Sequence, residues 1–85
     1  MLAMKTKPKS IFDSRYTWLI SELVKLRKNN NWSQRKLAEV AKTSHCFIGR
    51  TETKERRLDL IEAIDLMKHL GLSKVEIIKK IEKLV

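Results

Sequence analysis

Apolar residues recur along this chain at spacings of three and four, and their stripes are short, separated by clusters of Asn, Ser, Thr and Gly. Such spacing puts side chains on one face of a helix, and no stretch alternates with period two for long, so the pattern predicts an all-α fold. The first stripe, Tyr16, Leu19, Ile20, Leu23 and Leu26, predicts a helix that starts after Asp13 or Ser14, either a good N-cap, and runs to about Lys28. Arg27 falls on that same apolar stripe. Asn29, Asn30 and Asn31 then supply a turn, because Asn offers the backbone local hydrogen bonds outside a helix and tolerates positive φ.

Ser33 follows as the N-cap of a second helix, with Trp32 placed to pack on Leu37 as a hydrophobic staple, and Leu37, Ala38 and Ala41 form a narrow apolar face. Lys36 stands where the reciprocal Glu of a capping box would be. Lys42 and Thr43 make the next turn, and Ser44 caps a third helix reaching about Thr53. Projected at about 100° per residue, His45, Cys46, Gly49, Arg50 and Thr53 share one face, and Phe47, Ile48, Thr51 and Glu52 share the other. Phe47 and Ile48 make the second face the inner one, so Glu52 points toward the core. Arg27 and Glu52 would each be costly alone on an apolar face, whereas a hydrogen-bonded guanidinium–carboxylate pair relieves both. A salt bridge between the first and third helices is therefore expected.

The basic loop TKERR leads to a fourth helix. Asp59 with Glu62 reads as a capping pair, Leu60, Ile61, Ile64, Met67 and Leu70 as the apolar face, and Gly71 as the left-handed stop. Ser73 with Glu76 repeats the capping signature before a fifth helix over 74–84. On that helix Val75, Ile78, Ile81 and Val85 line one side, and Ile77 and Leu84 widen the stripe. The expectation is one compact five-helix domain over residues 13–85, preceded by a flexible basic tail at 1–12.

With 85 residues, there is one core and little scope for a deep cleft. Cys46 is the single cysteine, so there is no internal disulfide and no zinc-site spacing, and a reducing, cytoplasmic setting is expected. No apolar run approaches the roughly 18 residues of a membrane span, and the N-terminal lysines lack the apolar core of a signal peptide. His45 and His69 fall on different helices, no Ser, His and acid set is recognisable, and there is no Gly-rich phosphate loop. These absences speak against an enzyme, a metal site, a cofactor and a small-molecule ligand.

Charge changes the picture more than composition does. The formal net charge is +9, and residues 25–57 hold ten basic and three acidic groups, whereas residues 58–85 hold five of each. A basic patch centred on the second and third helices, beside a neutral C-terminal third, suits a phosphate backbone; a merely solvated basic surface is the alternative.

The stretch 33–52, SQRKLAEVAKTSHCFIGRTE, together with RRLD at 56–59 and HLGL at 69–72, resembles the Cro and phage-repressor class of helix-turn-helix domains, the Xre family. Ser33, Gln34, Leu37, Ala38, Ile48 and Glu52 carry the likeness over residues 16–72. The resemblance implies a lambda-repressor-like fold and a small stand-alone regulator, a repressor of transcription that binds double-stranded DNA with its third helix in the major groove. It makes His45, Cys46, Gly49 and Arg50 candidates for base reading. Gln34, Arg35, Ser44, Thr53, Lys54, Arg56 and Arg57 become candidates for phosphate contact. For Arg50, bidentate bonding to guanine and a plain phosphate contact both stay open. His45 replaces a glutamine frequent at its position, and Lys42 and Lys54 stand where the family usually has glycine, so no operator sequence carries over.

Such proteins usually act as twofold dimers. The stripe of Val75, Ile78, Ile81 and Val85 is the candidate interface, with intramolecular packing as its alternative. Lys5, Lys7 and Lys9 could form an arm along DNA or a solubilising tail. A second functional class, an antitoxin that neutralises a protein partner through its C-terminal helix and Trp18 while binding its own promoter, shares the same fold.

Overall fold

The computed structural model describes residues 13–85; the basic tail expected at 1–12, with Lys5, Lys7 and Lys9, lies outside the described residues. Five helices follow in order, α1 (Ser14–Asn29), α2 (Gln34–Ala41), α3 (His45–Glu52), α4 (Leu60–His69) and α5 (Lys74–Glu82), with no strand among the described residues. Each begins at a side-chain cap. Asp13, Ser33, Ser44, Asp59 and Ser73 accept a backbone N–H from the first turn of their helices, and α4 and α5 complete the box with Glu62 and Glu76. Three starts also carry apolar residues at the positions of a hydrophobic staple, Trp32 and Leu37, Leu58 and Ala63, and Leu72 and Ile77, all of them in the core or packed against it. Helices of eight to ten residues hold little intrinsic stability, so these local devices matter here.

Four of the five helices stop in the same way. Asn31, Lys42, Lys54 and Gly71 adopt positive φ of 59°, 56°, 64° and 98° just beyond α1, α2, α3 and α4. After each, the chain bonds back into the helix it leaves, as in Thr43 N to Ala38 O at 2.9 Å, Glu55 N to Arg50 O at 2.8 Å and Leu72 N to Met67 O at 3.0 Å. Only Gly71 adopts this geometry without a Cβ penalty. A left-handed lysine costs on the order of 1–2 kcal/mol.

The core is built from Leu19, Ile20 and Leu23 of α1, Leu37 and Ala38 of α2, Ile48 of α3, Leu58, Ala63, Leu66, Met67 and Leu70 around α4, and Ile77 of α5. Thr51 is buried among them, and its hydroxyl satisfies itself by donating to Phe47 O at 2.7 Å.

Two expected faces are corrected. On α4, Leu60 and Ile61 are exposed, and Ala63 and Leu66 take the inner positions beside Met67 and Leu70. Leu58, just ahead of the cap, is buried together with Ala63, while the first turn between them faces outward. On α5, Ile77 is the buried residue, and Ile81 and Leu84 pack against the core with it, leaving Val75 and Ile78 outside. Ile81 therefore belongs to intramolecular packing rather than to an outer stripe with Val75, Ile78 and Val85. The helix bounds also tighten, since Thr53 is the C-cap of α3 and α5 ends at Glu82.

Candidate nucleic-acid interface

Three helices meet on one carboxylate. Arg27 of α1 donates from Nε to Glu52 Oε2 at 2.7 Å and from Nη2 to Oε1 at 3.0 Å, while its Nη1 bonds Trp32 O at 2.8 Å. Gln34, the first residue of α2, donates from Nε2 to the same Glu52 Oε1 at 2.9 Å. The Arg27 and Glu52 side chains are about one tenth exposed, so the pair is nearly dry, and each ion also has one neutral partner, Trp32 O for the guanidinium and the Gln34 amide for the carboxylate. This network pins α3 against α1 and α2. It uses one N–H of the Gln34 amide and leaves the other directed away from Glu52.

With its inner side held, α3 turns His45, Cys46, Arg50 and Thr53 to solvent, and Gly49 is half-buried beside Gln34. A Cβ at Gly49 would sit 3.6 Å from Gln34 Oε1, an ordinary contact. Ser44 spends its hydroxyl oxygen as an acceptor from Phe47 N at 3.0 Å. Among the described residues, no carboxylate pairs with Arg50 or Arg35, and both are exposed. An exposed, uncommitted guanidinium can make the planar two-donor contact that base edges and phosphates accept.

Other expected backbone contacts are placed differently. Lys54 donates from Nζ to Thr17 Oγ1 at 2.9 Å, and Thr53 donates to Glu55 Oε2 at 2.8 Å. Arg57 is exposed. Arg56 is the clearest departure, because its guanidinium lies 4.5 Å from the Phe47 ring centroid and bonds Glu62 through both terminal nitrogens, at 3.0 and 2.9 Å. Arg56 is thus engaged within the fold and not presented as a free cation. The hydrogen bonds from Arg56, and then from the Asp59 backbone, hold the Glu62 carboxyl below the usual glutamate range. Sequence reasoning saw Asp59–Glu62 capping but missed this third partner; an Arg three residues ahead of a capping Asp was the available signal.

A solvent-open groove of about 360 Å³ runs beside this cluster, lined by Ala41, Thr43, Phe47, Arg56, Glu62, Asp65, Leu66 and His69. No group of His, Cys, Asp and Glu that could hold a metal ion occurs among the described residues.

A capped helix, a tight left-handed turn and a second capped helix with an exposed polar face thus occupy residues 33–53 of a five-helix domain. The helix-turn-helix family profile matches this arrangement over residues 23–77, more than half of the chain. The chain belongs to the Xre/Cro-like helix-turn-helix family. Searches of curated proteins and of solved structures returned no match. As an Xre/Cro-like domain the protein is a DNA-binding regulator, from a family that is generally non-enzymatic. No described helix is long and apolar enough to cross a membrane. The Xre/Cro-like match takes in Arg27, Gln34 and Glu52, both helices of the motif and Ile77, and stops before Ile78, Ile81 and Val85.

Proposed function

We propose that the protein is a sequence-specific repressor of transcription that lays α3 in the major groove of double-stranded DNA. The observation that carries this reading is the division of α3: Ile48, Thr51 and Glu52 are locked inward, and His45, Cys46 and Arg50 are exposed on the side left open. On this reading Arg50 reads a base edge, and His45 and Cys46 flank it. The second N–H of Gln34, with Arg35, Ser44, Thr53, Lys54 and Arg57, follows the phosphates. Binding as a twofold dimer through α5 would set two copies of α3 about 34 Å apart on successive grooves. Exposed Val75 and Ile78 support α5 as the contact.

Selection of sites from random duplexes, followed by affinity against salt for wild type, Arg50→Ala and Arg35→Ala, tests this. Arg50→Ala is expected to relax preference at one base pair by about 1–3 kcal/mol, and Arg35→Ala to weaken all sites alike and lower the salt slope by about one. Absence of any selected sequence would sink the repressor reading. The antitoxin reading draws on the same exposed Val75 and Ile78, which a protein partner would cover instead of a second copy; co-purification of a tight partner with the tagged chain would favour it.

A further inference from the structure

Arg56 lies in the loop between α3 and α4, yet its side chain is built into both helices. Phe47 of α3 supports the guanidinium at 4.5 Å, and Glu62 of α4 grips it with two bonds at 3.0 and 2.9 Å. Arg56 Nη1 also reaches Arg57 O at 3.2 Å. Glu62 Oε1 simultaneously accepts the Asp59 N–H at 3.0 Å, so the carboxylate that closes the α4 capping box also anchors the arginine. From the other direction, the Glu55 and Arg56 backbone N–H groups both bond Arg50 O, at 2.8 and 3.2 Å, which ties the loop to the last turn of α3.

We propose that Arg56 is a positioning residue for the DNA-reading helix: the Phe47–Arg56–Glu62 unit sets how α3 seats against α4, and so the angle at which His45, Cys46 and Arg50 meet DNA. A direct phosphate contact would have to break or share a bidentate ion pair. The pair is neutral as a whole, so it releases few counterions on binding. The arrangement needs the planar fork of arginine, which both stacks on an aromatic ring and matches a carboxylate, and lysine cannot supply it.

The test compares Arg56→Lys, Arg56→Ala, Glu62→Gln and the double variant Arg56→Lys/Glu62→Gln. Affinity for a duplex of mixed sequence is measured against salt, and backbone amide spectra are recorded without DNA. Thermal melts establish that each variant is folded at the assay temperature, and the lysine variant carries the test if Arg56→Ala does not fold. Positioning predicts that Arg56→Lys and Glu62→Gln each weaken binding roughly three- to thirty-fold, the range for residues in one coupled network, although neither lowers the net charge. The salt slope stays at the wild-type value even in Arg56→Ala. The double variant is no worse than the weaker single one. Without DNA, the amides of Cys46, Phe47 and Gly49 shift in both single variants. Unchanged α3 amides in Arg56→Lys would overturn the proposal. So would tighter binding by Glu62→Gln together with a shallower slope in Arg56→Ala, the pattern of a freed phosphate contact. A wild-type protein that fails to bind the duplex would instead count against DNA binding itself, and the DNA-free spectra would still decide how α3 is seated.

Discussion

Arg27 and Glu52 meet edge to edge where α1 crosses α3, with Nε 2.7 Å from Oε2 and Nη2 3.0 Å from Oε1. Both side chains are nearly buried, so removing either leaves a charge without water or counter-charge. Arg27→Ala and Glu52→Ala are each expected to destabilise the fold by about 3–5 kcal/mol. That is a large share of the roughly 5–15 kcal/mol that holds a typical domain together. Replacing both residues by apolar ones of similar volume should cost less than either single change. Urea midpoints for the three variants measure this, and two near-normal single variants would refute the pairing as a stability element.

Lys42 and Lys54 hold left-handed backbone at φ 56° and 64°. Glycine relieves the Cβ strain at such a site but loses some of that gain to the greater freedom of the unfolded chain. Lys42→Gly should therefore raise stability by roughly 0.5–1 kcal/mol. Lys54→Gly should raise it less, because it also removes the Nζ bond to Thr17 at 2.9 Å. Thermal melting of both variants checks the order, and a lower melting temperature for Lys42→Gly would contradict it.

Acid should weaken the protein through several carboxylates together. Hydrogen bonds from Lys80 and Lys25 hold Glu22 below its ordinary value, Arg56 and the Asp59 N–H do so for Glu62, and the Ser73 backbone and hydroxyl for Glu76. Arg15 lowers Asp13 to about 2. A carboxyl whose folded pKa lies below its unfolded one stabilises fully above the unfolded value, and that contribution fades as pH falls through the folded value. Stability is thus expected to be flat toward neutrality from these groups and to decline below about pH 4.5, the ordinary glutamate value. Melting temperature followed against pH should show this decline, and Glu22→Gln should make it shallower; an unchanged profile would remove Glu22 from the account.

Ile77 and Ile78 are neighbours in sequence with opposite environments, 5% and 51% exposed. Ile77→Ala should cost about 2–5 kcal/mol of stability. Ile78→Glu should stay within about 0.5 kcal/mol of wild type in a monomer. If α5 is the dimer contact, Ile78→Glu also shifts sedimentation to the monomer, whereas an unshifted dimer would place the contact elsewhere.

The helix starts were legible in the sequence because capping is local: the cap side chain and the N–H it accepts lie three residues apart or closer, as at Ser33, Ser44, Asp59 and Ser73. The Arg27–Glu52 pairing was legible for a different reason. A charge on an apolar stripe must find a partner, and each stripe carried one such misplaced charge of opposite sign.

What periodicity alone left undetermined was which of two overlapping stripes turns inward. On α4, both Leu60 and Ala63 lie at helical spacing from Met67, seven and four residues ahead of it, and on α5 both Ile77 and Ile78 fit a face. Only packing decides between them, because burial depends on where the neighbouring helices lie, and here Leu58 and Ala63 are the residues buried. Arg56 is the same lesson in charge. Its sequence neighbourhood reads as a basic rim, but the loop folds back so that Phe47 and Glu62 reach it first. Local chemistry therefore determined where each helix begins and which residues are polar, and tertiary structure decided which of those residues stay exposed, since only the folded loop brings Arg56 to both Phe47 of α3 and Glu62 of α4 while Arg50 stays exposed.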